Sequence, residues 1–217
     1  MILKRLREET SRNHSAIESQ MPLLDPSMSL DTYRELLSRF WGYYAPLEQQ
    51  LQNETAMYWP ESEYVWSERE KTPLLELDLR ALGQTAAMYP KCSDLPPLTI
   101  PAHVLGCLYV LEGASLGGQI ISKHLSLNLG LTPESGAAFF HGYGSETGPR
   151  WQSFRQFLTS NADPMNQDDE IVVSANETFR TLAEWLFASG ESKVLSEPEA
   201  IADPTRCESE GVNSVRC

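Results

Sequence analysis

The apolar run from Val104 to about Leu129 constrains the fold more than any other stretch of the chain. Its length and apolar spacing predict one long helix. That helix has to carry Gly106, Gly113, Gly117 and Gly118 within the segment Tyr109-Val-Leu-Glu-Gly-Ala-Ser-Leu-Gly-Gly-Gln119 and just before it. Each interior glycine costs roughly 1 kcal/mol against alanine. A helix that keeps four of them needs bare backbone for some purpose. Gly106, Gly113 and Gly117 are seven and four residues apart, so they share one face. Two readings stay open: close packing against another helix, or a flat apolar ligand lying directly on the main chain.

The rest of the chain also reads as helix. Residues 2–21 predict a first helix, with Leu6, Thr10, Ile17 and Met21 along one stripe and His14 among them. Pro22 and Pro26 end it. Ser29 or Asp31 caps a second helix through Gln50 or beyond, kinked at Pro46. Residues 53–72 predict short helical pieces. Pro73 opens a further helix that closes near Gly83, and a proline-rich loop leads into the glycine-bearing helix. Gly130 ends that helix as a left-handed cap. Residues 132–148 read as a loop or broken helix anchored by Phe139 and Phe140. Pro149 starts a helix to about Ser160, and a last long helix spans about 167–188, stopped by Gly190. No alternating strand pattern of useful length occurs. The predicted class is therefore all-α: a compact single-domain bundle of about eight helices over residues 1–190. Residues 191–217 are polar and aperiodic and predict a flexible tail.

A chain of 217 residues suffices for one domain with a real core. A net charge of −13 argues against a nucleic-acid binder, which needs a basic surface, and against docking on anionic lipid. No apolar run of about 18 residues is free of polar groups, so no membrane span is expected. The N-terminus does not read as a signal peptide. The four cysteines show no CxxC pairing and predict free thiols in a reducing cytoplasm.

His14 is the first candidate for chemistry. A histidine on an apolar helix face is commonly a core residue, but three features shift the balance towards a metal ligand. Glu18 lies one turn on, where it can accept the Nδ1 proton and leave Nε2 for a metal. Arg7 lies two turns earlier, about 10 Å along the axis. Lys4, Arg5, Arg7 and Arg12 concentrate positive charge at the start of an acidic protein. That patch is either a solvated basic face or the local grip a doubly anionic ligand needs. His103, His124 and His141 make no metal-like spacing, and HExxH and Walker motifs are absent from the sequence.

The pairing of Arg7-Glu-Glu-Thr10-x-x-x-His14-x-x-x-Glu18 with Tyr109-x-x-Glu-Gly113-x-x-x-Gly117-Gly118 resembles the heme oxygenase family. It is most similar to the bacterial branch that includes bacteriophytochrome-associated enzymes. Phe139-Phe140-x-Gly-Tyr143-Gly-x-x-Thr-Gly148-x-x-Trp151-x-x-Phe154 resembles the same subgroup, and the likeness covers residues 3–190. The resemblance implies heme as both cofactor and substrate, cleaved to biliverdin, CO and ferrous iron with O2 and electrons. It implies His14 as the iron ligand, oriented by Glu18. Arg7 and Tyr109 match propionate-side positions, and Arg180 is a further, looser propionate candidate. Gly113 and Gly117, with Ser115 between them, would form the distal helix over the heme. Where some members carry an aspartate after the first distal glycine, this chain has Ala114. The partners implied are an electron donor, a ferredoxin or reductase, and a bacteriophytochrome as bilin acceptor. A non-catalytic heme or bilin carrier on the same fold is the alternative that Ala114 keeps open.

Overall fold

The computed structural model describes residues 2–62 and 64–187. The tail expected over 191–217, the stop at Gly190, and Cys207 and Cys217 lie outside the described residues. The α-helices are α1 (Ile2–Glu9), α2 (Ser11–Gln20), α3 (Leu30–Tyr58), α4 (Thr72–Ala81), α5 (Pro101–Leu129), α6 (Ala138–His141), α7 (Thr147–Met165) and α8 (Asp168–Phe187). No strand occurs among the described residues. The glycine-bearing run is α5, opened by Pro101 at its first position and closed by Gly130 at φ 67°.

α5 is the centre of the bundle, and α8 is its main neighbour. Two of its glycines explain the contact. A Cβ on Gly106 would sit 2.3 Å from the carbonyl oxygen of Ile171 and 2.8 Å from the amide nitrogen of Ala175, both on α8. A Cβ on Gly118 would sit 2.3 Å from the carbonyl oxygen of Phe140 on α6. Both are therefore close-packing glycines, and Gly106 does not share the role of Gly113 and Gly117. By length and apolarity α5 could cross a membrane, which the sequence reading did not expect. Its N-terminal half is apolar because it is buried: Ala102, Val104, Leu105, Cys107, Leu108, Val110 and Leu111 all lie in the core.

Elsewhere local chemistry sets the boundaries. Ser29 caps α3 by accepting from the amide of Thr32 at 3.1 Å. α3 continues past Gln50 to Tyr58 and contains Pro46. The single helix expected over 2–21 is instead α1 and α2, parted at Thr10. The Thr10 hydroxyl donates to the Leu6 carbonyl at 2.7 Å, a back-bond that bends helices. The broken segment before α7 holds one π-helical turn at Pro133–Ala137, then α6, then a 3-10 turn at Gly144–Glu146.

Two buried carboxylates fix helix starts. Glu48 of α3 accepts from the amides of Lys71 at 2.7 Å and Thr72 at 2.9 Å, at the head of α4. Asp78 of α4 accepts from the amides of Ala138 at 2.7 Å and Phe139 at 2.8 Å, at the head of α6. Each places negative charge where a helix exposes unpaired N–H groups. Together they fix the approach of Lys71 and Phe139 to the interior.

Gly106→Ala and Gly117→Ala should separate the two uses of glycine. The first forces backbone apart and should destabilise the fold by about 2 kcal/mol or more. The second meets nothing within 4 Å and should stabilise it by up to about 1 kcal/mol through helix propensity. Urea denaturation of the two variants measures both.

Candidate functional site

A cavity of about 610 Å³ opens between α1–α2 and the C-terminal half of α5. Its volume lies within the roughly 300–1,000 Å³ range of small-molecule sites. Residues from α1–α2, α3, α5, α6, α7 and α8 wall it. Arg7, His14 and Glu18 reach it from α1–α2; Tyr109, Gly113, Ala114, Ser115 and Gly117 reach it from α5.

His14 stands on one wall with its ring edge-on to Phe179 of α8, centroids 5.9 Å apart. Its Nδ1 lies 3.3 Å from a Glu18 carboxylate oxygen, the arrangement that directs the other ring nitrogen outward. The i,i+4 spacing on α2 produces that contact. At the rim, Tyr109 is half-buried. Burial raises its hydroxyl pKa, against a hydrogen bond with Thr10 and the charge of Arg7.

The opposite wall is main chain. A Cβ added at Gly117 would meet nothing within 4 Å, and one at Gly113 would only touch the Trp151 ring at 3.9 Å. The bareness there serves open space and not helix contact. Ser115 Oγ is buried on this wall without a partner among protein atoms. Phe40, Tyr44 and Phe139, in mutual ring contact, make the interior apolar.

Arg180 is a correction. It does not line the cavity. Phe179 and Leu182 of α8 do, and Arg180 is turned about 100° from Phe179. Its guanidinium is held by Glu177 at 2.6 Å and by Glu184 at 2.5 Å. The basic patch is also thinner than its sequence suggests. Arg5 pairs with Glu9 and Asp169, both at 2.8 Å, Lys4 stands 3.9 Å from Glu8, and Arg12 is not on the cavity. Arg7 is the member of the patch that reaches it.

Sequence reasoning missed a buried polar cluster beside the aromatic wall. Glu112, the lone carboxylate of the apolar run, accepts from Tyr64 at 2.9 Å and from Arg69 at 3.0 Å. The Tyr143 hydroxyl lies 3.4 Å from its other oxygen. Arg69 and Glu112 are almost wholly buried, with side chains 6% and 3% exposed. Two residues on, Lys71 lines the cavity itself. A solitary Glu inside an apolar helix was a readable sign of a buried partner; Lys71, in an irregular loop, carried no such sign.

The heme oxygenase family model matches residues 1–188. The chain belongs to the heme oxygenase family. A heme oxygenase from Xanthomonas campestris pv. campestris (strain 8004) is 36% identical over 96 residues, 44% of this chain and 53% of the relative. The match thus spans about half the length of that curated relative. The fold is similar to the NO- and CO-bound heme oxygenase from Neisseria meningitidis. The TM-score is 0.71 at 20% identity over 88% of this chain and 94% of that one. It is equally similar to the heme oxygenase from Leptospira interrogans, with TM-score 0.71 at 21% identity over 85% and 98% of the two chains.

Within this heme oxygenase fold the two buried cations differ in their effect on stability. Glu112→Gln strands the Arg69 charge and should lower stability by about 3–5 kcal/mol, read by urea denaturation. Lys71 has the opposite sign. Burial pushes its pKa down from 10.5 to about 8, against the pull of Glu112 and Glu48 and with the repulsion of Arg150 and Arg69. Between those values the unfolded chain binds more protons than the folded one, so stability rises with pH across that window. Below about 8 the penalty is present in full. Lys71→Met should therefore raise stability at pH 7 by roughly 2–3 kcal/mol. The gain should shrink as pH rises from 8 towards 10.5, followed by thermal melts of the empty protein.

Proposed function

We propose that this chain is a heme oxygenase that binds heme between α2 and α5 and cleaves it to biliverdin, CO and ferrous iron, using O2 and electrons. One observation carries the reading: one cavity has His14, its Nδ1 3.3 Å from Glu18, on one wall and side-chain-free backbone at Gly113 and Gly117 on another. The residues suit the group. A flat macrocycle needs an imidazole to its iron, an apolar enclosure, main chain close to its face and cations at its acid edge. Arg7 and Tyr109 are available for that edge.

Heme, when bound, supplies a redox-active iron and is itself the molecule oxidised. The protein's part is placement. His14 Nε2 would hold the iron, with Glu18 fixing the tautomer through Nδ1. Arg7 and Tyr109 would hold the carboxylates and so set which ring edge points inward. Gly113 and Gly117 would let the α5 backbone lie against the ring, and Phe40, Tyr44 and Phe139 would exclude water from the inner edge. Ser115 would offer a hydroxyl on the same wall. An electron donor, a ferredoxin or reductase, would dock near the Arg7 rim, and a bacteriophytochrome would receive the bilin. The unpaired buried thiols Cys92 and Cys107 support a reducing, cytoplasmic setting.

Ala114 lines the cavity with no acid of its own, which favours one other reading, a heme or bilin carrier. Hemin titration followed by incubation with O2 and a reductant discriminates the two. The oxygenase is expected to take one hemin per chain, lose its Soret band and yield a bilin; a carrier keeps the Soret band. His14→Ala should lose the native Soret position. Glu18→Ala should lower hemin affinity about tenfold. An unchanged Soret spectrum in the His14 variant would sink the assignment.

A further inference from the structure

Lys71 is the group in the cavity that the proposed function leaves without a task. It is 5% exposed. Its backbone amide is pinned by Glu48 at 2.7 Å, which holds the residue in place at the head of α4. Its ammonium lies 3.1 Å from the centroid of the Tyr143 ring. Among the described residues no acceptor lies within hydrogen-bond reach of Nζ, although the atom is buried. A buried ammonium has three donors and ordinarily finds acceptors for them. The nearby Glu112 does not serve: its first oxygen is taken by Tyr64 and Arg69, and Tyr143 stands at the second.

The position of the amine narrows what it can meet. Its charged and aromatic neighbours are Tyr143, Glu112 of α5, Glu48 of α3, Arg150 of α7 and Arg69 of its own loop, none of them on the α1–α2 wall that carries His14. Phe40, Tyr44 and Phe139 line the same cavity with aromatic rings. Among the described residues Ser115 Oγ is the other buried side-chain polar atom on this cavity without a partner. The chemistry at the rim is different: Arg7 is solvent-exposed there and suited to bulky carboxylates. A compact, buried ammonium suits a group of one to three atoms carrying negative charge.

We propose that Lys71 is a hydrogen-bond donor to a small anionic ligand held in the cavity on the face opposite His14, a second polar subsite distinct from the carboxylate grip at Arg7. The inference rests on the heme reading, because the ligand's other attachment is the iron that His14 would hold. The protein with hemin bound, wild type, Lys71→Met and Lys71→Arg, tests it with fluoride and azide as probes of the ferric form and CO as the neutral probe of the ferrous form. All three proteins are expected to bind one hemin with the same Soret position. Lys71→Met should bind fluoride and azide about tenfold more weakly, Lys71→Arg should recover most of that loss, and CO affinity should stay within about twofold throughout. Equal fluoride affinity in wild type and Lys71→Met overturns the inference while leaving the heme reading intact. So does an equal loss for fluoride and CO, which would mean a general change of cavity shape. Loss of hemin binding in Lys71→Met alone would make Lys71 a holder of the macrocycle and overturn it as well. Absence of hemin binding in the wild type removes both the heme reading and this one.

Discussion

The bundle depends on one backbone contact, the approach of α5 to α8 at Gly106. A side chain of any kind there would overlap the Ile171 carbonyl and the Ala175 amide. Packed helices usually stand 8–10 Å apart, the gap being filled by side chains. Removing the side chain from one partner closes the gap and lets the first half of α5 bury itself on nearly every side. That rigid half then carries the second half outward. From Gly113 on, burial gives way to exposure: Ala114, Leu116, Gly117 and Ile120 are all exposed. Gly113 therefore marks the boundary between the part of α5 that holds the fold together and the part that borders the cavity. One helix anchors the structure and presents bare main chain because its glycines face different neighbours.

Charge does the remaining positioning. Glu48, Asp78 and Glu112 are buried carboxylates, each bonded to a different element from its own. Burial alone would disfavour all three charges. Paired with amide groups at helix starts or with Arg69, they become directional ties between α3 and α4, α4 and α6, and α5 and the loop before α4. The cavity's inner wall is the consequence: Phe139 follows Ala138 at one tie, and Lys71 donates its amide at another.

How far this was legible in the sequence depended on whether the signal was local. Helical periodicity, the Ser29 cap and the left-handed Gly130 follow from a few adjacent residues, and the structure has each. The Arg7, His14 and Glu18 face was legible for the same reason, though the Thr10 hydroxyl breaks the helix beneath it. The glycines of α5 were only half legible. Spacing put Gly106 with Gly113 and Gly117 on one face, but what stands opposite each is decided by α8 and the cavity, which no local pattern encodes. Arg180 shows the reverse case. Its partners Glu177 and Glu184 sit at the i−3 and i+4 positions of the same helix, so the spacing alone encodes a self-contained surface network.

Arg69 and Lys71 sharpen the distinction between charges that hold a fold and charges that wait for something. They are two residues apart on one loop, and both are almost fully buried. Arg69 has Glu112, the Arg150 carbonyl and Ser153 around its planar fork, so its burial is compensated within the protein. Lys71 has the face of Tyr143 and, among the described residues, no acceptor. Methionine could fill its volume without the desolvation cost. Folding alone therefore gives no reason for an amine at this position. A ligand that brings an acceptor into the cavity does, because the interaction the empty protein lacks then forms where solvent has already been excluded.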